Sequence, residues 1–181
     1  MNDAVDISLI IGIVVTMVLS AFFSGMEMAF VTSNRMLFEM DKEKNGIANH
    51  LVNFFYRQGN DFVSTMLVGN NAVLVVYGIL IARFFDNTIF QGHSPTVTVP
   101  ADTIISTIIM LFTGEFLPKT LFRRNPNRLM TVFSPLAFLF YIVLWPVSRV
   151  ATSLSKMLLR IIGIRIEKEV GDEEFSKVDL D

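Results

Sequence analysis

The sequence predicts an all-α integral membrane protein, with three transmembrane helices and amphipathic juxtamembrane helices that form a belt at the cytoplasmic side. Of its 181 residues, 52% are hydrophobic, and 17 of the residues are phenylalanine. Three apolar runs are each long enough to cross a bilayer. A soluble domain of this length could not bury so much apolar surface, so we expect the lipid bilayer to be a partner.

Composition excludes several other classes of protein. The chain contains no cysteine, which excludes disulfide scaffolds and thiolate metal sites. Its net charge of -2 predicts no nucleic-acid partner. The first fifteen residues carry two aspartates and no lysine or arginine, so we interpret the N-terminus as part of the first span and not as a signal peptide.

The three spans are predicted at residues 7–31, 61–85 and 101–122, and Pro100 suits the first turn of the third. Residues 35–57 place apolar side chains among charged ones at near-helical spacing. This spacing predicts an amphipathic helical hairpin on the membrane surface or against a partner; an ordinary solvated pair of helices is an equally good interpretation.

Basic residues predict the orientation, because short cytoplasmic loops collect them. Four basic residues separate the first two spans and four follow the third: Arg35, Lys42, Lys44 and Arg57, then Lys119, Arg123, Arg124 and Arg128. The N-terminus is therefore expected outside a cell inner (plasma) membrane and the C-terminus in the cytoplasm.

A further apolar run, residues 129–147, is interrupted by Pro135 and Pro146. As a fourth span it would put six later basic residues outside, so we predict re-entrant or belt helices over residues 129–166. Hydropathy alone favours the fourth span, and that alternative stays open. Residues 1–166 then form the transmembrane domain, and residues 167–181 form an acidic linker.

A stripe of polar side chains interrupts the first span. Ser20, Ser24 and Glu27 recur at helical spacing, so they share one face of the helix. An isolated charge in hydrocarbon costs at least ~2.5 kcal/mol, so Glu27 should face protein, water or an ion.

The other two spans carry polar groups at the same depth, counted at ~1.5 Å per residue. Asn70 lies in the second span and Glu115 in the third. Pro118 lacks the N–H that would bond the Gly114 carbonyl, so a local helix break should free that oxygen. An all-oxygen set without imidazole or thiolate suits Mg²⁺, Ca²⁺ or Na⁺.

The same motifs can also be explained by helix packing, hydrogen bonding or an ion pair without a bound ion. Ser20 with Ser24 and Ala21 with Gly25 are also small-xxx-small packing patterns, and residues 69–71 could be interhelical hydrogen-bonding groups. Glu115 and Lys119, four residues apart, could form an ion pair.

In these motifs the sequence resembles the transmembrane domain of the CNNM/CorC family of magnesium transporters. The resemblance rests on S-A-F-F-S-G-x-E-x-A at residues 20–29, G-N-N at residues 69–71 and G-E-x-x-P-K at residues 114–119. It implies Na⁺-coupled Mg²⁺ export by a homodimer with three spans and a belt. It further implies that dehydrated Mg²⁺ is bound by Ser20, Ser24, Asn70, Gly114 and Glu115. Glu27 is carried over as a structural or Na⁺-linked residue, and Asn71, Pro118 and Lys119 belong to the same motifs.

Members of that family continue into cytoplasmic CBS domains, and nothing in this sequence corresponds to them. We therefore expect a membrane domain excised from a longer protein. Two other functions are weighed: a non-transporting magnesium sensor or scaffold, and an intramembrane hydrolase with Glu27 and Glu115 as paired carboxylates. Because the sequence offers no His-Asp pair and no nucleophile beside a base, we expect that the chain is not an enzyme.

Overall fold

The computed structural model describes residues 3–40, 46–88 and 95–161, and the elements of this part of the chain are all helical. The elements are α1 (Asp3–Thr32), α2 (Arg35–Met40), α3 (Ile47–Arg57), α4 (Gly59–Thr88), α5 (Pro95–Met110), a π-helical turn (Leu111–Phe116), α6 (Leu117–Arg124) and α7 (Pro126–Ile161). The all-α prediction is confirmed. Two of the predicted spans correspond to α1 and α4, and the third to α5, the π-helical turn and α6 together.

The third span begins earlier than the sequence predicted. Helix α5 starts at Pro95, so the start at residue 101 and the first-turn position of Pro100 are wrong. Pro100 lies inside the helix, where the missing N–H removes one hydrogen bond near the helix start without ending it. Residues 89–94 of the predicted loop lie outside the described residues.

Helix α7 is continuous, so the interruption predicted at Pro135 and Pro146 is also wrong. Pro135 leaves the carbonyl of Thr131 without its helical N–H partner. The hydroxyl of Ser134 donates to that carbonyl at 2.9 Å and replaces the missing hydrogen bond. Residues 162–166 of the predicted belt, and the acidic linker at residues 167–181, lie outside the described residues.

Within the described residues, four helical segments are long and apolar enough to cross a membrane: Ile7–Thr32, Gly59–Thr88, Thr98–Arg124 and Pro126–Ser155. Helix α1 packs against α4, α6 and α7. Large apolar side chains on their outward faces are exposed, among them Val18, Val75, Ile108 and Val143. These faces suit lipid, because acyl chains solvate apolar side chains.

Helix α7 contacts the bundle from the end of α1 and the start of α4 as far as Phe23 and Gly69. The backbone N–H of Asn34, just after α1, donates to Asn127 Oδ1 at 3.0 Å. The hydroxyl of Ser134 contacts the Ala48 carbonyl in α3 at 3.3 Å. At its other end, Arg149 forms an ion pair with Asp61, in the first turn of α4, at 3.3 Å.

The predicted hairpin at residues 35–57 is present as α2 and α3, while residues 41–45 are outside the described part. Helix α3 packs against α7 and completely buries Val52 and Phe55. The Tyr56 hydroxyl donates to Ser33 Oγ at 2.8 Å, which ties α3 to the end of α1. This contact helps to fix α3 beside the bundle.

The core consists of two apolar clusters. The aromatic cluster joins α1, α2, α3, α4 and α7 around the fully buried Met26, Phe55, Phe62 and Met66. The smaller cluster joins α1, α4 and α5 through Ile13, Tyr77, Ile81, Phe85 and Met110. Along α1 and α4, the predicted polar residues Ser20 and Asn70 lie between the buried residues of one cluster and those of the other.

Candidate ion-binding site

The centre of the candidate site is a hydrogen bond between two spans. The Ser20 hydroxyl on α1 donates to Asn70 Oδ1 on α4 at 2.7 Å. Ser20 is completely buried and Asn70 is 5% exposed. The structure therefore brings together two of the predicted residues that are fifty positions apart in the sequence.

The third span reaches this pair through Gly114, which is buried in the π-helical turn. A Cβ atom added to Gly114 would lie 3.0 Å from Ser20 Oγ and 2.8 Å from Met110 Sδ. Glycine at this position lets the backbone of the third span approach the serine hydroxyl without displacing Met110. The predicted helix break takes the form of a widened turn: the N–H of Leu117 donates to the Phe112 carbonyl five residues earlier.

Ser24 lies one turn beyond Ser20 on α1 and is completely buried. Its Oγ has no hydrogen-bond partner among the described residues, whereas buried hydroxyl groups are normally paired. The Ser24 oxygen, one helical turn from Ser20, therefore has lone pairs available to a ligand.

The remaining predicted residues are less closely associated with this centre. Glu115 and Glu27 are partly exposed, Lys119 is partly exposed, Pro118 is buried and Asn71 is exposed. No hydrogen bond joins Glu115 to Ser20, Ser24 or Asn70 in the described part of the chain, and no ion pair joins Glu115 to Lys119 there. The described residues also contain no group of three His, Cys, Asp or Glu side chains that could hold a metal ion.

Two glycines of the motifs serve helix packing. A Cβ atom at Gly25 would lie 2.6 Å from Phe122, and one at Gly69 would lie 2.8 Å from Phe23. Close backbone approach at small residues is a common way to join membrane helices. The packing interpretation of the first motif fits Gly25, and the hydrogen-bonding interpretation of residues 69–71 fits the bond between Ser20 and Asn70.

Sequence reasoning missed a cavity of about 380 Å³ between α4 and α5. Asp86 and Asp102 line one end, and Leu74 and Met110 line the other. Leu74 and Met110 are each one helical turn from Asn70 and Gly114, so the cavity ends close to the candidate site. The sequence signal was Asp102 inside the third apolar helix, where a carboxylate is unusual.

The fold defines a multi-pass α-helical membrane protein in which α1, α4 and the π-helical turn bring Ser20, Asn70 and Gly114 together in a buried polar layer. Residues 11–181 match the family described as the cyclin M transmembrane N-terminal domain. The chain belongs to this family, as its motifs predicted.

Three relatives illustrate the similarity. The UPF0053 inner membrane protein YfjD of Escherichia coli is 29% identical over 150 residues, which cover 82% of this chain and 34% of YfjD. A UPF0053 protein of Mycoplasma pneumoniae, a homologue of MG146, is 27% identical over 148 residues, covering 80% of this chain and 34% of the relative. A chloroplastic DUF21 domain-containing protein of Arabidopsis thaliana is 31% identical over 156 residues, covering 83% of this chain and 22% of the relative. The chain thus spans about a third or less of each of these relatives.

Proposed function

We propose that this chain is the ion-translocating membrane domain of a Na⁺-coupled Mg²⁺ exporter. The observation that carries the proposal is the buried contact of Ser20, Asn70 and Gly114, with the unpaired Ser24 oxygen beside it. Hydroxyl, amide and backbone oxygens from three helices match the hard ligands that Mg²⁺ prefers. The cargo ion would replace hydration oxygens with these groups.

Binding of the cargo would change the hydrogen bond between Ser20 and Asn70. Both oxygen atoms are acceptors, but the Ser20 proton lies between them in the arrangement that the structure describes. To face a cation, the Ser20 O–H must turn away, so that both oxygens present lone pairs. The hydrogen bond thus offers a closed arrangement that the arriving ion opens.

Glu115 would supply the negative charge. It lies in the π-helical turn and is partly exposed. A π-helical turn contains one extra residue. If the turn moved along the helix, the side chains that it passed would rotate about the helix axis. We propose that such a shift turns Glu115 toward Ser20 and Asn70 during transport.

The cavity between α4 and α5 would be one access route. It ends at Met110, whose Sδ lies against Gly114. Methionine is flexible and can change rotamer at low cost, so Met110 would close the route between the acidic cavity and the polar layer.

We propose the topology of three spans and a belt, with the N-terminus outside and the C-terminus in the cytoplasm. The contacts of α7 favour it over a fourth span. Asn127 and Arg149 lie twenty-two residues apart, ~33 Å along a helix, which is enough to cross the bilayer. Yet their partners, Asn34 and Asp61, lie at the same end of α1 and α4. A helix that crossed the bilayer fully would carry Arg149 to the opposite end.

Single cysteines test this topology, and the chain has no native cysteine to interfere. We expect a membrane-impermeant maleimide to label Ser155→Cys from the same side as Asn60→Cys, and Thr88→Cys from the other side. All three positions are exposed. Labelling of Ser155→Cys together with Thr88→Cys would establish the fourth span instead.

Ion flux tests the function itself. We expect proteoliposomes that contain the chain to release Mg²⁺ when Na⁺ is supplied on the opposite side, and Glu115→Ala to abolish this release. Thr113→Ala is the matched control, because Thr113 lies in the same turn and its hydroxyl donates to the Ile109 carbonyl. Undiminished Na⁺-dependent release by Glu115→Ala would refute the role of Glu115.

The second candidate function is a magnesium sensor or scaffold without transport, favoured by the closed packing of the polar layer against Gly114. It predicts that Mg²⁺ raises the thermal unfolding midpoint while no flux occurs. We also propose that the active form is a homodimer and that CBS domains follow this domain in the full-length protein. We propose no catalytic role for any residue of the chain.

A further inference from the structure

A second cavity, of about 690 Å³, lies at the end of the bundle where α6 meets α7. Its polar walls are Asn34, Asn49, Arg124, Asn127 and Arg128. The apolar segments Ile7–Thr32 and Thr98–Arg124 end beside it, and the segment Pro126–Ser155 begins there. The cavity is therefore at the level of the membrane surface, where lipid headgroups lie.

The charged residues that line this cavity, among those the structure describes, are Arg124 and Arg128. The cavity between α4 and α5 has the opposite character, since the charged residues of its described walls are Asp86 and Asp102. A basic cavity at the membrane surface attracts anions, whereas the acidic cavity repels them.

The wall is held by hydrogen bonds between distant parts of the chain. Asn127 Oδ1 accepts the backbone N–H of Asn34 at 3.0 Å, and Asn127 Nδ2 donates to the Asn34 carbonyl at 3.4 Å. These two bonds fasten the start of α7 to the end of α1 and leave the guanidinium groups of Arg124 and Arg128 on exposed side chains. The cavity is thus formed before a ligand arrives.

We propose that this cavity binds the phosphate group of an anionic lipid headgroup. Guanidinium groups bind phosphate with paired hydrogen bonds, and Arg124 and Arg128 bring two of them to this cavity. The volume exceeds that of a phosphate ion and leaves room for a glycerol headgroup. Its position at the ends of three apolar segments lets the acyl chains stay in the hydrocarbon region. Basic pockets between membrane helices bind headgroups by the same chemistry.

The test counts phosphatidylglycerol molecules retained by the purified chain in native mass spectrometry, after titration in a neutral detergent. We expect Arg124→Gln and Arg128→Gln each to weaken retention about fivefold, since one basic residue near an anionic surface contributes ~1 kcal/mol. Arg123→Gln is the matched control: it removes the same charge from the neighbouring residue, which does not line the cavity. We expect it to change retention by less than about twofold.

Equal losses in Arg123→Gln and Arg124→Gln would overturn the proposal, because surface charge alone would then explain retention. Inorganic phosphate alone distinguishes the two sources of the ligand. We expect it to leave the thermal unfolding midpoint unchanged at a concentration at which phosphatidylglycerol raises it. An equal rise with inorganic phosphate would overturn the lipid assignment. Unchanged midpoints of the variants in phosphatidylcholine establish that they fold.

Discussion

The two halves of the bundle on either side of the polar layer are packed differently. The half toward α3 is filled by the aromatic cluster, in which the rings of Phe55 and Phe62 lie 4.3 Å apart. The half toward α5 contains the smaller cluster and the cavity of about 380 Å³ lined by Asp86 and Asp102. The cavity of about 690 Å³ in the half toward α3 lies at the end of the bundle, beside Asn34 and Phe38, whereas the cavity in the other half reaches to within a turn of Asn70.

This difference shows how the polar layer can be both buried and accessible. Dense aromatic packing fixes the backbone of α1 and α4 beside Ser20 and Asn70, because large rings leave few alternative arrangements. The looser half permits movement of Met110 and of the π-helical turn. A site that binds and releases an ion requires rigidity on one side and space on the other.

The largest expected effect on stability comes from removing an aromatic side chain from the half toward α3. Phe62 is completely buried and its ring also packs against Phe30, with centroids 5.0 Å apart. We expect Phe62→Ala to lower the free energy of unfolding by about 3–4 kcal/mol. Phe85→Ala should cost less, because the ring of Phe85 is 6% exposed and belongs to the smaller cluster. Denaturant titration in detergent measures both, and equal losses would contradict the comparison.

A smaller effect is expected where the two halves meet. Gly114→Ala would place a methyl group against Ser20 Oγ and Met110 Sδ. We expect a loss of about 1–2 kcal/mol in stability and strongly reduced Mg²⁺ flux. The double variant Gly114→Ala, Met110→Leu removes the Sδ contact but keeps an apolar side chain at the buried position. It should regain part of the stability but not the flux, since the contact with Ser20 remains. Full recovery of flux in the double variant would show that only the methionine contact matters.

The smallest effect is a pH dependence of stability at Tyr56, in the half toward α3. Burial raises the pKa of Tyr56 above its ordinary value of 10.0, and the hydrogen bond to Ser33 and the charge of Arg35 oppose this rise less strongly. Because the folded state favours the neutral phenol, its stabilising contribution is complete below pH 10 and declines as the pH rises through the folded pKa. Thermal unfolding midpoints measured between pH 8 and about pH 11 should fall more for the wild type than for Tyr56→Phe. Parallel curves would exclude a contribution from Tyr56.

The sequence predicted the helical class, and it singled out Ser20, Asn70 and Gly114, which the structure brings together. Both follow from hydropathy and helical spacing, which are local properties. The topology of three spans and a belt stays a prediction, because four segments of the described chain are long and apolar enough to cross a membrane. Helix continuity through Pro135 could not be predicted from proline alone, because the replacement bond comes from the rotamer of Ser134. The Asp86 and Asp102 cavity depends on how α4 and α5 diverge, which no local pattern encodes.

The central claim, that oxygens of three helices bind the cargo ion, is tested most directly by titration calorimetry of Mg²⁺ into the purified chain. Asn70→Leu removes the buried amide, and Asn71→Leu is its control, because Asn71 is exposed on the same helix. We predict that the wild type and Asn71→Leu give a saturable binding heat and that Asn70→Leu gives none. Binding of Mg²⁺ to Asn70→Leu with unchanged affinity would contradict the claim.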